Sequence, residues 1–258
     1  MALTKNRYCY VDFRDQQPGP LFAQTTNAIA TAADNQIDYQ WIDTATGPHY
    51  FEHIQTAANT ALQFITAAAG WTVPTDGVDG EGIEITQGVL ASRTPMSFVT
   101  GTDAFFIQVG MLVDLIASED VYGCGFRKLG AYVDITTPAL VASVYDDKAY
   151  IGVNDNAGNL VTVTSIGGTD ITTELAATAV ANATYLYLRV EVSKARAATY
   201  KIGQSTVSAA AAKTALAADA SAVAMTFTNA LTLVPYMPFV STGTLVDVDL
   251  IEYECGLL

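Results

Sequence analysis

The sequence predicts an all-β protein in which short antiparallel strands pack in two layers or close into a barrel. Residues Thr184–Gly203 alternate Tyr, Arg and Glu with Leu and Val, turn at a basic segment and enter a second short strand, which is the pattern of a β-hairpin. Leu231–Gly256 repeats this rhythm with a proline-bracketed aromatic run, a Ser-Thr-Gly turn and an acidic strand. Short β-rich runs separated by Gly, Asn or Asp turns fill residues 96–166, and such spacing favours a sandwich or barrel.

The first 70 residues differ in composition from the rest. Tyr8–Arg14 (YCYVDFR) predicts a short strand, which the prolines and glycine of Gln16–Pro20 end. Residues 21–69 are rich in Ala, Thr, Asn and Gln, and the apolar spacing from Phe51 to Ala69 predicts a helix, although the threonines of this stretch fit a strand or a loop nearly as well. We therefore predict an N-terminal arm or extension over residues 1–70.

The main domain is predicted over residues 71–258. Its entry, Gly70–Gly88, is rich in glycine and aspartate ahead of the alternating Ile83 and Ile85. Val207–Ala224 is rich in alanine and fits either a short helix on a long connection or a loop.

Composition excludes several classes of partner. Of the 258 residues 50% are hydrophobic and 15% are charged, so the chain folds, yet it has no apolar run of about 18 residues that could span a bilayer. Twelve Lys and Arg against 26 Asp and Glu give a net charge of −14, which repels nucleic acid and anionic membranes. We expect neither as a partner.

Three cysteines, Cys9, Cys124 and Cys255, lie far apart in the sequence. An odd number cannot pair completely, and their spacing is not that of a zinc site. The N-terminus has no pattern of a secretory signal. We expect three thiols, no metal or other cofactor, and folding in a reducing host cytoplasm.

The strongest candidate for catalysis is the acidic segment Asp247–Glu252. Carboxylates two residues apart on a strand share a face, at a separation that glycosidases can use. Family-sixteen glucanases carry Glu-x-Asp-x-x-Glu on one strand, and the segment resembles this motif through Asp247, Asp249 and Glu252. However, Asp247 stands where the first Glu should, and the apolar Val246, Val248 and Leu250 alternate with the carboxylates. A half-exposed terminal strand explains this pattern better than catalysis does.

Other candidate sites are weaker. Asp76, Asp79 and Glu81, and separately Asn154–Gly158, place oxygen ligands in short loops that could hold Ca²⁺, but both segments are also common turn sequences. His49 and His53 are four residues apart and would share a helix face, yet Glu52 does not complete a two-histidine zinc motif.

Aromatic residues give one further candidate for binding. Tyr185, Tyr187, Tyr236 and Phe239 could form a platform for stacking sugars, whereas aromatics on alternating strands more often pack in the core or across strands. We assign no catalytic, cofactor-binding or metal-binding residue from the sequence.

The order of these segments resembles a known fold family. DGVDGEGIEITQG, GTDAFFIQVGMLVDL, YGCGFRKL, LYLRVEVS with TYKIG, LVPYMPF and VDVDLIEYECG together resemble concanavalin A-like jelly-roll domains (lectin, glucanase and laminin-G-like). They are most similar to the version in virion structural proteins of tailed phages, especially marine ones. The resemblance covers about Trp71 to Leu258. It implies an antiparallel jelly-roll sandwich and, in a phage, a decoration, cement or fibre role without catalysis.

These expectations give one preferred function and two alternatives. We expect a non-enzymatic head decoration protein on the outer capsid surface, because a net charge of −14 is unfavourable beside packaged DNA. Its expected partners are the major capsid protein and copies of itself, most simply as a homotrimer, with a surface glycan as a further ligand. The alternative is a lectin-like, carbohydrate- or receptor-binding module of a tail fibre. A glucanase-like glycoside hydrolase is the remote alternative.

Overall fold

The computed structural model describes residues 8–14, 25–26, 35–43, 47–55, 65–67, 70–72, 81–87, 96–114, 121–130, 145–154, 158–219, 226–241 and 248–258. The regular structure in these ranges is nearly all β, which confirms the predicted fold class. The strands, in chain order, are β1 (Tyr8–Asp12), β2 (Thr25–Thr26), β3 (Asn35–Asp43), β4 (Gly47–Gln55), β5 (Ile65–Ala67), β6 (Gly70–Thr72), β7 (Glu81–Thr86), β8 (Phe98–Val99), β9 (Phe105–Val113), β10 (Val121–Lys128), β11 (Lys148–Asn154), β12 (Asn159–Ile166), β13 (Thr169–Ala179), β14 (Thr184–Val192), β15 (Ala198–Ser205), β16 (Ala217–Ala218), β17 (Thr232–Ser241) and β18 (Val248–Leu257). Within these ranges one helix, α1 (Ala209–Thr214), lies between β15 and β16.

The strands form two antiparallel sheets. Sheet A has the order β16-β15-β14-β9-β18-β6-β5, and β1 also pairs with β18. Sheet B has the order β13-β12-β11-β10-β17-β7-β4-β3-β2, and β8 also pairs with β17. The sheets pack face to face, since β10 contacts β9 and β14, and β11 contacts β14. This is the two-layer sandwich that the alternating sequence predicted.

The apolar side chains of the alternating strands fill the space between the sheets. Along β14, Leu186, Leu188 and Val190 are fully buried and face sheet B, while the residues between them face outward. Below we call the face of each sheet that points toward the other sheet its inner face, and the opposite one its outer face. The core between the inner faces also includes Ile107, Val109, Met111, Cys124, Phe126, Ile151, Tyr200, Met237, Phe239 and Tyr253.

The predicted hairpin over Thr184–Gly203 is confirmed. β14 and β15 pair from Tyr185 with Ser205 to Val192 with Ala198. In the turn, the Ser193 hydroxyl accepts a hydrogen bond from the Ala197 amide at 3.1 Å, and Arg196 takes a positive φ of 72°. The basic segment seen in the sequence is therefore the turn of this hairpin.

The N-terminal strands pair with strands of the predicted main domain. β1 pairs with β18 from Tyr8 with Gly256 to Asp12 with Glu252, and β4 pairs with β7. Cys9, Val11 and Phe13 enter the core between the sheets. These pairings join strands from both sides of residue 70/71. The division into an arm and a main domain, and the assembly role expected for residues 1–70, stay predictions.

The helix predicted between Phe51 and Ala69 is wrong where the structure describes that stretch. Residues 51–55 belong to β4 and Ile65–Ala67 form β5. The apolar spacing was compatible with a helix, but pairing with β3, β7 and β6 satisfies the backbone in extended form. The threonine-rich composition was the better indicator.

The alanine-rich segment does contain a short helix. The Ser208 hydroxyl caps α1 by accepting a hydrogen bond from the Ala211 amide at 3.2 Å. The helix packs on the outer face of sheet A, against β15, β14 and β9. It approaches β15 at Gly203, where an added Cβ would lie 2.1 Å from the Ala212 carbonyl oxygen. In the part of the chain that the structure describes, no helix has the length and apolar character needed to cross a membrane.

Candidate functional site

A β-bulge in β18 brings two carboxylates of the acidic segment to the outer face of sheet A. Asp249 lies opposite Leu112 and Glu252 lies opposite Gly110, with a register shift between Leu250 and Glu252. Because positions 110 and 112 of β9 are two apart, they share a face. Without the extra residue of the bulge, Glu252 would point to the other side of the sheet. Asp247, the third acidic candidate, lies outside the described residues.

Glu252 is buried and fully engaged by its neighbours. Only 3% of its surface is exposed. Its Oε1 accepts a hydrogen bond from Gln108 Nε2 at 3.3 Å and from the Nζ of Lys213, in an ion pair. The Tyr187 hydroxyl also hydrogen-bonds this carboxylate, and burial together with the negative charge of Glu252 raises the pKa of Tyr187. This carboxylate is therefore covered by its hydrogen-bond partners Gln108, Lys213 and Tyr187.

Tyr187 reaches Glu252 because the strand beside it carries a glycine. Gly110 lies opposite Tyr187 on β9. A Cβ added at Gly110 would be 2.5 Å from Cζ of the Tyr187 ring and 2.8 Å from its hydroxyl oxygen. The ring therefore lies flat across the sheet, where it is 1% exposed. Gly110 is the position in β9 that makes this arrangement possible.

From Glu252 the hydrogen bonds continue through Gln108 to a row of charged side chains of alternating sign, Arg189, Glu191 and Lys201. Gln108 Oε1 accepts a hydrogen bond from Arg189 Nη1 at 3.2 Å, and the Arg189 guanidinium lies 3.8 Å from the ring centroid of Phe106. Glu191 Oε1 accepts from Arg189 Nε and from Lys201 Nζ, both at 2.7 Å. Burial alone raises the pKa of Glu191, but the hydrogen bonds from these two cations hold it below its usual value.

These side chains form one set, which we call the Glu252 network. It consists of Gln108, Tyr187, Arg189, Glu191, Lys201, Lys213 and Glu252. Its anions and cations are in contact with one another, so it presents no isolated charge to solvent.

A second group of side chains, the β1 rim, borders the Glu252 network at the edge of sheet A. It comprises the outward-facing residues Tyr8, Tyr10, Asp12 and Arg14, and the neighbouring Glu254. The Tyr8 hydroxyl donates to Glu254 Oε1 at 2.8 Å, and Arg14 Nε donates to Asp12 Oδ1 at 2.8 Å. Tyr8 is 37% exposed and Tyr10 is half-buried. Two tyrosines about 7 Å apart on one strand face thus lie beside charged hydrogen-bonding groups.

Burial and nearby carboxylates both act on Tyr10. Together they raise the pKa of its hydroxyl to about 12, with burial the larger effect and Glu252 and Asp12 adding to it. Lys213 Nζ lies 5.8 Å from the Tyr10 ring and 5.9 Å from the Tyr187 ring. Lys213 therefore joins the Glu252 network to the β1 rim.

The outer face of sheet B carries a buried ion pair between β7 and β10. Arg127 Nη2 lies 2.7 Å from Glu84 Oε1, and the two side chains are 0% and 1% exposed. Arg127 Nε donates to the same oxygen at 2.8 Å, and the Tyr145 hydroxyl donates to Glu84 Oε2 at 2.7 Å. The Tyr236 ring packs against those of Tyr145 and Tyr150. This cluster is structural in character.

The sequence-predicted aromatic platform is not assembled. Tyr185 and Tyr187 lie on the outer face of sheet A, whereas Tyr236 lies on the outer face of sheet B and Phe239 lies in the core between the sheets. The strand predicted over Tyr8–Arg14 is confirmed as β1, but it was interpreted as an arm or edge strand, and the β1 rim was not expected from it. Alternation in YCYVDFR was the signal that could have found it.

The other candidates find little support. His49 and His53 lie on β4, opposite Trp41 and Ile37 of β3, so the helix face expected to join them is absent. Gly158 lies directly before β12 with a φ of 81°, as in the turn of a hairpin between the paired strands β11 and β12. Asp76, Asp79 and residues 155–157 lie outside the described residues. In the described ranges, no group of three or more His, Cys, Asp and Glu side chains is arranged to hold a metal ion.

Comparisons with known proteins do not assign this chain to a family. No family model matches the sequence, and no curated protein matches it. Among solved structures, a family 7 alginate lyase, A1-II′, in complex with product is 13% identical, with a TM-score of 0.45, covering 85% of this chain and 91% of that one. The CBM2 module of the evolved Dit of Lactobacillus casei BL23 phage J-1 is 11% identical, with a TM-score of 0.46 and coverages of 97% and 96%. A protein of unknown function from Shewanella oneidensis MR-1 is 12% identical, with a TM-score of 0.47 and 90% coverage of both chains.

Proposed function

We propose that this protein is a non-enzymatic structural protein of a tailed-phage virion and decorates the outer surface of the capsid. The resemblance of its strand order to phage jelly-roll proteins suggests the virion setting. The proposal that the protein is not an enzyme rests on one observation, which is that the carboxylate of Glu252 is buried and already hydrogen-bonded. A general acid or nucleophile must reach its substrate within hydrogen-bond distance, whereas this carboxylate is 3% exposed and engaged by Lys213, Gln108 and Tyr187.

The charge of the chain supports an outward location. A net charge of −14 is unfavourable beside packaged DNA, whereas on the outer surface it keeps particles apart. The expected partners are the major capsid protein and two further copies of the chain, because capsid lattices offer threefold positions to a closed trimer.

Two experiments test this proposal. Cryo-electron microscopy of purified particles, with labelled antibody against the protein, is expected to find many copies on the head; label confined to the tail would contradict a decoration role. Purified protein is expected to release no reducing sugar from laminarin or lichenan. Release that is abolished by Glu252→Gln would show a glycoside hydrolase instead.

A second candidate function, glycan binding, is favoured by the β1 rim. Half-exposed tyrosine rings beside carboxylates and a guanidinium are the groups that stack on sugars and hydrogen-bond their hydroxyls. In this case a glycan array is expected to identify a ligand whose affinity falls at least tenfold in Tyr8→Ala. Tyr185→Ala is the matched control, since Tyr185 is half-buried on the same outer face of sheet A but lies on β14. Equal losses in both variants would argue against the β1 rim.

A further inference from the structure

Cys9 and Cys255, at opposite ends of the sequence, lie directly opposite each other on β1 and β18. The amide of Phe13 donates to the carbonyl of Ile251 at 2.9 Å, which makes Phe13 with Ile251 a hydrogen-bonded pair. Such pairs recur at every second residue of an antiparallel ladder, so Cys9 with Cys255 is also one, with its Cα atoms about 5.5 Å apart. Disulfides span Cα separations of about 4.4–6.8 Å. The backbone geometry therefore suits a bridge.

The two thiols also point to the same side. Both side chains are 0% exposed and belong to the core between the sheets. Gln87 Nε2 donates to Cys9 Sγ at 3.6 Å, and the Tyr253 hydroxyl donates to Gln87 Oε1 at 2.6 Å. Strand register and side-chain direction therefore bring the two thiols to the same part of the core.

The third cysteine provides an internal comparison. Cys124 lies on β10 in sheet B, and its Sγ donates to the carbonyl of Leu188 at 3.7 Å. Strand pairing places Cys124 opposite Ile151 of β11, so its backbone is not aligned with another cysteine as that of Cys9 is with Cys255. Cys124 should therefore keep its thiol under conditions that oxidise the other two.

We propose that Cys9 and Cys255 form an oxidative modification site, which takes a small-molecule disulfide such as glutathione disulfide as its oxidant and ties β1 covalently to β18. The Cys9 thiolate attacks one sulfur of the oxidant, whose S–S bond breaks and releases one glutathione thiolate. The Cys255 thiolate then attacks Cys9 Sγ and displaces the second glutathione. Two protein thiols lose two electrons, and the oxidant is reduced to two thiols that take up the two protons.

Oxidation requires a transient opening of β1. Burial raises the pKa of Cys255 well above its usual range, so the reactive thiolate is scarce while the sandwich is closed. β1 is a strand of five residues whose Tyr8 end is exposed, and in the described part of the chain it pairs with β18 alone. A short edge strand of this kind opens more readily than the core. The bridge should therefore form faster in dilute urea, and once formed it should resist reduction after β1 closes over it.

The test uses the full chain and a defined oxidant. Protein is unfolded in urea, refolded in a mixture of reduced and oxidised glutathione, treated with iodoacetamide in denaturant, digested and analysed by mass spectrometry. We expect a peptide pair joined through Cys9 and Cys255, with two hydrogens fewer than the sum of its parts, and Cys124 alkylated. Cys124→Ser should give the same pair and the same rise in melting temperature on oxidation, whereas Cys9→Ser should give neither.

Each contrary outcome overturns the proposal. Complete alkylation of Cys9 and Cys255 after refolding would show that the pair does not bridge. A bridge that includes Cys124, or a disulfide between chains on a non-reducing gel, would show that strand register does not select the partners. Because the peptide map of the unaltered chain decides between these outcomes, poor folding of Cys9→Ser would not prevent the test. Cys255→Ala serves as a second variant.

Discussion

The buried ion pair on the outer face of sheet B gives the sharpest stability prediction. Glu84→Gln keeps the shape of the side chain but removes its charge and leaves the Arg127 guanidinium facing a neutral amide. Burial alone would lower the pKa of Arg127, but the carboxylate of Glu84 outweighs this effect and keeps the pKa raised. With the carboxylate gone, an uncompensated charge stays in a site that is 0% exposed. Breaking such a pair costs about 3–5 kcal/mol of unfolding free energy.

A surface ion pair of the same chain is the control. In the pair of Asp12 with Arg14, the side chains are 18% and 44% exposed, and exposed pairs contribute about 0–1 kcal/mol. Asp12→Asn should therefore cost much less than Glu84→Gln. The double variant Glu84→Leu with Arg127→Met should recover most of the loss, because it removes both charges and fills the volume with apolar groups.

Urea unfolding at pH 7, followed by tryptophan fluorescence and circular dichroism, measures all four proteins. Equal slopes against urea concentration are needed before midpoints are compared. If Glu84→Gln loses no more than Asp12→Asn, desolvation of Arg127 does not govern this site. If the double variant is as unstable as the single one, lost packing and not an unpaired charge is the cause.

Three further variants test other parts of the fold. Phe13→Ala should lower the unfolding free energy by about 3–5 kcal/mol, because this side chain of the predicted arm is 2% exposed in the core. Val207→Ala is the control: its side chain is 81% exposed, so the unfolding free energy should change by less than about 0.5 kcal/mol. Equal effects of the two substitutions would refute the burial of β1. Gly110→Ala should lower the unfolding free energy by about 1–3 kcal/mol, because the new Cβ would lie 2.5 Å from the ring of Tyr187 and would displace it. Gly130→Ala, where no atom lies within 4 Å of the new Cβ, should leave the thermal unfolding temperature unchanged. Glu191 has a lowered pKa, so the stability that its ion pairs contribute is present above its unfolded-state pKa of about 4.3 and is lost as the pH falls through the folded-state pKa. The difference in unfolding free energy between Glu191→Gln and the unaltered chain should therefore shrink below about pH 4. A constant difference from about pH 7 to pH 2 would refute the pairing of Glu191 with Arg189 and Lys201.

The strands of the central part could be predicted because alternation alone specifies them. In β14 each apolar residue faces the core and each polar residue faces outward, so a two-residue period identifies both the strand and its faces. The hairpin followed, since its turn lies between two such runs. The prediction for Phe51–Ala69 was wrong because a few apolar residues in a threonine-rich stretch satisfy both periods, and pairing with distant strands decided between them.

The candidate site depended on contacts that no local pattern reveals. Regular alternation places Asp249 and Glu252 on opposite faces, and only the bulge at Ile251 brings them to one face. Lys213, 39 residues before Glu252 in the chain, comes from an alanine-rich segment with no chemical signature of its own. Recognising that Glu252 is a paired and covered carboxylate therefore required the tertiary structure.

The position of β18 has a consequence for the synthesis of the protein. This strand lies between β9 on one side and β1 and β6 on the other, so sheet A is divided until residues 248–257 have left the ribosome. Synthesis at about 5–20 residues per second leaves the facing edge of β9 without β18 for about 7–30 seconds, and that of β1 for longer. Open apolar edges favour aggregation. The nascent chain is therefore expected to need chaperone protection until β18 inserts and joins the two parts of sheet A.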